Sequence, residues 1–269
     1  MNRLLLAGTA AVTIAVVAIL APKVTGAGSA VPTALRDPKG CLKSAPPAQT
    51  HAVLIDFTDR PSAEHLTHLE ALKGSLHRET PLNAKILVGA LTPDTLPGPV
   101  TLLLETCNPG TRSGAFTERP SSAPMDQYWR ARFAQPLAET LDLAKALPES
   151  SKASPILEGI TTLSGRADFD GRIAGRRLTV VTDGLQLTPG VYSHFRGGDL
   201  WKSYLASALP AATQADLTGV RVEIIYLRRP EFAQRQTDQH RAFLVRWLES
   251  HGASSVAFRG APSPNLKRH

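Results

Sequence analysis

Three short segments of this 269-residue chain bring together acids and hydroxyls that could share one piece of chemistry. The stretch LIDFTD, residues 54–59, offers Asp56, Thr58 and Asp59, with Ser62 just beyond. ESSKASP, residues 149–155, offers Ser151 and Ser154, and VVTDG, residues 180–184, offers Asp183. Carboxylates mixed with neutral hydroxyls are hard oxygen ligands of the kind Mg²⁺ takes while keeping some of its waters. An ion held this way is under-neutralised, so an acid from a partner can complete its shell. Such a site binds rather than hydrolyses. The same residues also have a plainer use. Thr58 or Asp59 before Pro61, and Ser154 before Pro155, are good helix N-caps, and Asp183 followed by Gly184 is an ordinary turn. Capping accounts for each residue singly but not for acids and hydroxyls falling on one rim three times.

Other chemistries lack their parts. No G-x-S-x-G elbow mounts a nucleophile, and no G-x-x-x-x-G-K-[ST] loop cradles a phosphate. A strand ending in Asp56 resembles the start of a haloacid dehalogenase-type phosphatase. That reaction needs a second Asp two residues on as general acid, and Thr58 stands there. A hydrolase is the distant alternative, and the chain reads as a non-enzyme. His65 and His68, one helical turn apart, have no third zinc ligand in view and read as an exposed polar face. Trp201, Tyr204, Phe243 and Trp247 lie at helical spacing and read as packing. The formal charge of +7 comes from scattered pairs such as Arg176 with Arg177 and Arg228 with Arg229. With no basic stripe and no interleaved aromatics, nucleic acid is not an expected partner.

The elements that must position these residues alternate. HAVLIDF (51–57) is a buried strand, and residues 61–78 carry Leu66, Leu69, Leu72 and Leu76 on one helical stripe. AKILVGAL (84–91) and VTLLLETC (100–107) are joined by the Pro/Gly-rich 92–99 and should form an antiparallel hairpin. A polar loop, 108–124, precedes a long helix over about 126–147 and a second helix opened by Ser154 and Pro155. Then come strand RLTVVTD, helix LWKSYLASAL, strand VRVEIIYL, an amphipathic helix over 236–251 and a last short strand, SSVAF. The expected fold class is α/β: a doubly wound, mostly parallel sheet with one antiparallel edge strand and helices on both faces. The carboxyl ends of the parallel strands form an upper edge, where Asp56, Thr58, Ser154 and Asp183 should converge. In open α/β sheets ligands bind at this edge, where strand order switches.

LIDFTD before a helix, a serine opening a later helix, and VVTDG closing a strand together resemble a von Willebrand factor A (vWA) domain with a degenerate metal-ion-dependent adhesion site. The resemblance implies that Asp56 and Thr58 match the first loop of that site, Ser154 the second-loop hydroxyl and Asp183 the last acid. Asp59, Ser62 and Ser151 are secondary candidates. It also implies Mg²⁺, or Mn²⁺ or Ca²⁺, as cofactor and a protein partner presenting an acidic residue. One departure stands out: Arg60 occupies the place of the second first-loop hydroxyl. An arginine at the rim can replace the cation's charge, so a metal-free envelope or secretion-system scaffold is the alternative.

The chain divides into residues 1–30, a signal peptide or membrane anchor; 31–50, a linker; 51–260, the α/β domain; and 261–269, a basic tail. The apolar run 4–21 behind Arg3 satisfies the pattern of a signal and the length of a span. Either reading implies export to the periplasm or beyond, with anchoring through residues 4–21 as the second case. Cys41 and Cys107, the only cysteines, should pair in an oxidising compartment. Both fall at the lower edge of the sheet.

Overall fold

The computed structural model describes residues 33–56, 58–91, 100–111, 124–143, 151–261 and 264. The leader, the hairpin connector 92–99, most of the polar loop and nearly all of the basic tail lie outside the described residues. Among the described residues eight strands are interspersed with helices. Strands β1 (Gln49–Asp56), β2 (Lys85–Leu91), β3 (Thr101–Cys107), β4 (Gly175–Thr182), β7 (Arg221–Tyr226) and β8 (Ser255–Arg259) form one sheet in the order β3-β2-β1-β4-β7-β8. All pairings are parallel except β2 with β3, so the expected antiparallel edge strand is present. Two-residue strands β5 (Leu187–Thr188) and β6 (Tyr192–Ser193) make a small separate hairpin that the periodicity did not signal.

β1 carries a continuous buried run, Ala52, Val53, Leu54 and Ile55, because a central parallel strand is covered on both faces. One face packs under α4 (Ile156–Ser164), α5 (Leu200–Leu205), α6 (Leu209–Ala212) and α7 (Asp238–Ser250), with Tyr204, Phe243 and Trp247 buried there. Trp201 sits at its margin, so the aromatic spacing does mark packing. The other face packs under α1 (Ala63–Glu79) and under α2 (Pro124–Trp129) and α3 (Gln135–Asp142), which a π-helical turn joins at Arg130–Ala134. Gly159 lets α4 lie close to the sheet. A Cβ there would stand 2.7 Å from Leu91 Cδ2 and 3.1 Å from Leu54 Cδ2, and both leucines are fully buried.

Cys41 and Cys107 form a disulfide with Cα atoms 4.9 Å apart. Around it the proposed linker needs correction, because from Thr33 onward the chain is folded onto the domain. Arg36 is buried and donates to the carbonyls of Gly40 (2.7 Å) and Pro109 (3.1 Å) and to Asn83 Oδ1 (2.8 Å). A guanidinium with several donors can satisfy three loop acceptors at once. The domain therefore begins before residue 51.

Candidate functional site

The parallel registers set the site. Ile55 of β1 stands beside Val181 of β4, so Asp56 and Thr182 end their strands side by side. Strand order reverses between these two strands, the switch point at which an open α/β sheet leaves a crevice. Asp56 Oδ1 accepts from the Thr58 amide at 3.1 Å and from the Thr58 hydroxyl, and Oδ2 accepts from Ser154 Oγ at 3.1 Å and Thr182 Oγ1 at 2.8 Å. Three hydroxyls and an amide thus surround one carboxylate. Its four lone-pair sites are all engaged.

The loops are tied to one another by backbone. The Ser151 amide donates to the Thr58 carbonyl at 2.6 Å, and Ser154 exchanges both backbone bonds with Leu187. Ser154 does not cap α4. The first turn of that helix is satisfied by buried Gln186, whose Oε1 accepts from the Leu157 amide at 2.9 Å, leaving the serine hydroxyl for Asp56. Likewise neither Thr58 nor Asp59 caps α1. Ser62 does, through a capping box in which His65 Nδ1 accepts from the Ser62 amide. That removes Ser62 from the oxygen cluster. It also corrects the reading of His65 as exposed: the ring is buried, with Nε2 donating to the Arg228 carbonyl at 3.1 Å. His68 lies at 3.8 Å from Glu64.

Asp183 is the most perturbed acid at the rim. It is 4% exposed, Oδ1 accepts from the Leu185 amide at 2.8 Å, and Oδ2 accepts from Arg229 Nε at 2.6 Å. Loss of solvent, followed by the nearby Asp56 carboxylate, pushes its pKa up to about 7 in spite of Arg229. The same guanidinium lies 3.4 Å from Asp59 and 3.8 Å from Glu231, so it is shared by three carboxylates. Gln236 braces this arrangement by accepting from the Arg229 amide and donating to the carbonyls of Asp183 and Leu227. Arg60, the arginine singled out from the motif, is exposed instead. In the sequence Arg229 reads as one of a scattered basic pair. The signal that points to it is its place three residues past the carboxyl end of β7, on the same edge as Asp56.

Asp56, Thr58, Ser154 and Asp183 are therefore brought to one rim as the topology requires, with Asp59 beside Arg229 and Ser151 at the loop junction. Above them opens a cleft of about 320 Å³. Its polar side carries Thr58, Asp59, Ser151, Ser154, Arg229 and Glu231; its apolar side carries Leu185, Leu187, Phe195 and Phe232.

No protein-family profile matches the chain, and no curated protein matches it in sequence. Among solved structures it is similar to an aerotolerance-related membrane protein from Bacteroides fragilis NCTC 9343 carrying multiple mutations to serine. The identity is 13%, over 79% of this chain and 92% of that one, with a TM-score of 0.39. It is also similar to the pilus adhesin SpaC from Lactobacillus rhamnosus GG, at 11% identity over 81% of this chain and 28% of the adhesin, with a TM-score of 0.41. The SpRpn10 VWA domain is similar at 11% identity over 81% and 90%, with a TM-score of 0.32. At these values each is a likeness only, and the site has to be judged by its own geometry.

A resident divalent cation does not fit that geometry. The acceptor sites of Asp56 are filled, and the outer oxygen of Asp183 is held by Arg229. Among the described residues, no three Asp, Glu, His or Cys side chains are grouped to hold a metal.

Proposed function

We propose that this protein is a vWA-like, exported binding module, not an enzyme, that engages a protein partner at the upper rim without a divalent cation. The observation that carries this reading is the Arg229 guanidinium, which takes the cationic place among Asp183, Asp59 and Glu231. The Asp56 cluster below it serves as a rigid floor. Each of its three hydroxyls donates to the same carboxylate, so the cluster fixes the loops instead of activating one oxygen as a nucleophile. The Cys41–Cys107 disulfide accords with an oxidising compartment and hence with export. Anchoring through residues 4–21 belongs to the same reading, as does a role in an envelope assembly.

The cation-dependent alternative needs an open coordination position and an acidic partner. The rim supports neither.

Calorimetric titration of the full chain with Mg²⁺ and Mn²⁺ tests the reading alongside capture of membrane proteins in chelator. No heat of cation uptake is expected, with capture that persists in chelator and is lost when Ser154→Tyr fills the cleft. Capture that returns only on adding Mg²⁺ would overturn it.

A further inference from the structure

A second cavity, of about 60 Å³, lies at the lower edge of the sheet, far from the rim and independent of what binds there. It is walled by the first residues of β1 and β4 and by the last turns of α1. We infer that it is a carboxylate-binding site, in which the Arg177 guanidinium and the His51 imidazole hold the oxygens of a monoanion with a short apolar stem.

Two donors without acceptors are the first argument. His51 and Arg177 are register partners on β1 and β4, so their side chains leave the same face of the sheet and both line the cavity. Burial, and then the Arg177 charge, hold the His51 pKa down at about 3, so the ring is neutral and carries one proton. Its Nε2 lies 2.8 Å from Thr179 Oγ1. The Thr179 side chain is buried, and among the described residues its hydroxyl has no other acceptor, so it donates to Nε2. The ring proton therefore sits on Nδ1, where no protein acceptor among the described residues meets it. Arg177 likewise makes no ion pair or side-chain hydrogen bond among the described residues, although it stands beside the imidazole. A neutral N–H and a guanidinium side by side are a ready acceptor site for an oxyanion.

Charge and shape are the second. Arg177 stands directly opposite Arg221 of β7, and like charges in that relation are unfavourable unless something answers them. Glu223 does not, because its Oε1 accepts from Arg259 Nε at 3.1 Å and Nη2 at 2.8 Å. Glu79, on the α1 wall, is exposed and makes no ion pair among the described residues. Three arginines thus face two glutamates, one of them already paired, in keeping with the +7 of the whole chain. The remaining wall is apolar, formed by buried Leu72, Leu76 and Ala84. A space of about 60 Å³ admits a carboxylate with two or three carbons behind it and little more. Phosphate would set acceptor oxygens against the leucines, and Glu79 opposes a dianion more than a monoanion.

The test uses the full-length, isotope-labelled chain at neutral pH and low chloride. The imidazole nitrogens of His51 and the amides of His51, Ala84 and Gly175 are followed by NMR while butyrate, butyramide, inorganic phosphate, and capped glutamate and glutamine are added in turn. Before any addition, the His51 nitrogens should report the Nδ1–H form; the Nε2–H form would overturn the assignment. Butyrate or capped glutamate should shift these resonances with an affinity about tenfold or more above its amide counterpart. Butyrate alone marks a free acid as the ligand, and capped glutamate alone marks an acidic side chain of a partner. Arg177→Gln, at an exposed position, should lower the affinity about tenfold, and Ser75→Leu, which lays an apolar side chain across the cavity, should abolish binding, with thermal unfolding confirming that both variants fold. Amides that bind as well as acids, phosphate that binds more tightly than butyrate, an affinity indifferent to Arg177→Gln, or no shift with any compound would each overturn the inference. None of these results bears on the rim.

Discussion

Replacing Arg229 by alanine should produce a stability loss whose size depends on pH. Asp183 is nearly fully buried, and its pKa is already about 7 with Arg229 at 2.6 Å. In the unfolded chain an aspartate titrates near about 3.9. Between these values the native acid is protonated while the unfolded one is ionised, so stability falls as pH rises. Above pH 7 the native carboxylate ionises too, the fall stops, and Arg229 sustains the buried charge. Without Arg229 the native pKa moves upward, and stability keeps falling by about 1.4 kcal/mol per pH unit until the new value is reached. Stripping one partner from a buried ion pair costs about 3 to 5 kcal/mol when the other stays charged. A cost in that range is expected near about pH 9. Near about pH 5.5, where Asp183 is neutral with or without the arginine, the cost should be smaller by about 2 to 3 kcal/mol. Urea unfolding followed by tryptophan fluorescence at both pH values measures this for the wild type, Arg229→Ala, Asp183→Asn and the double variant. In the Asn background the pH dependence of Arg229→Ala should vanish. A cost equal at both pH values, or one that survives in the Asn background, would refute the linkage between this pair.

Behind the rim, burial holds the His240 pKa down at about 4. An unfolded histidine takes up its proton from about pH 6.5 downward, so stability should fall by up to about 3 kcal/mol between pH 6.5 and 4. His240→Gln in the Asp183→Asn background should remove that share of the fall, leaving the part that the likewise depressed His51, His65, His77 and His194 contribute. Gly184 adopts φ +75°, and a Cβ there would lie 2.8 Å from His240 Cε1 and Leu244 Cδ1. Gly184→Ala should lower stability by about 3 kcal/mol in thermal or urea unfolding. Replacing both cysteines by serine should cost about 4 kcal/mol by the chain-entropy argument, with the reduced wild type matching the variant in urea titration.

The architecture was legible because alternating apolar runs and helical stripes leave few alternatives to a doubly wound sheet. Once the strands were placed, the upper edge collected Asp56, Thr58, Ser154 and Asp183. What escaped were the partners, since they depend on register and on loop paths. Thr182 joins Asp56 only because β1 and β4 pair one residue earlier, at Ile55 and Val181. Arg229 reaches Asp183 through a loop braced by Gln236 and by the His65 bond to the Arg228 carbonyl, contacts that span 46 to 163 residues of sequence. The segment ahead of β1 looked like a tether by composition, yet Arg36 finds its acceptors in loops far along the chain. Capping rules named suitable residue types but chose Thr58, Asp59 and Ser154, whereas Ser62 and Gln186 carry out the capping.

The glycine at 159 has a reach beyond its own helix. A methyl group there would have to retreat about 0.7 Å, from 2.7 Å to the 3.4 Å of ordinary contact, against two leucines with no room to yield. If α4 rose as a body by that amount, the Leu157 amide in its first turn would drift from 2.9 Å to about 3.6 Å from Gln186 Oε1, past the span of a hydrogen bond. The cap of α4 is thus gauged from underneath, by the absence of a single carbon at the helix–sheet seam. Tuning at position 159 would relax the rim without altering any residue that a partner touches.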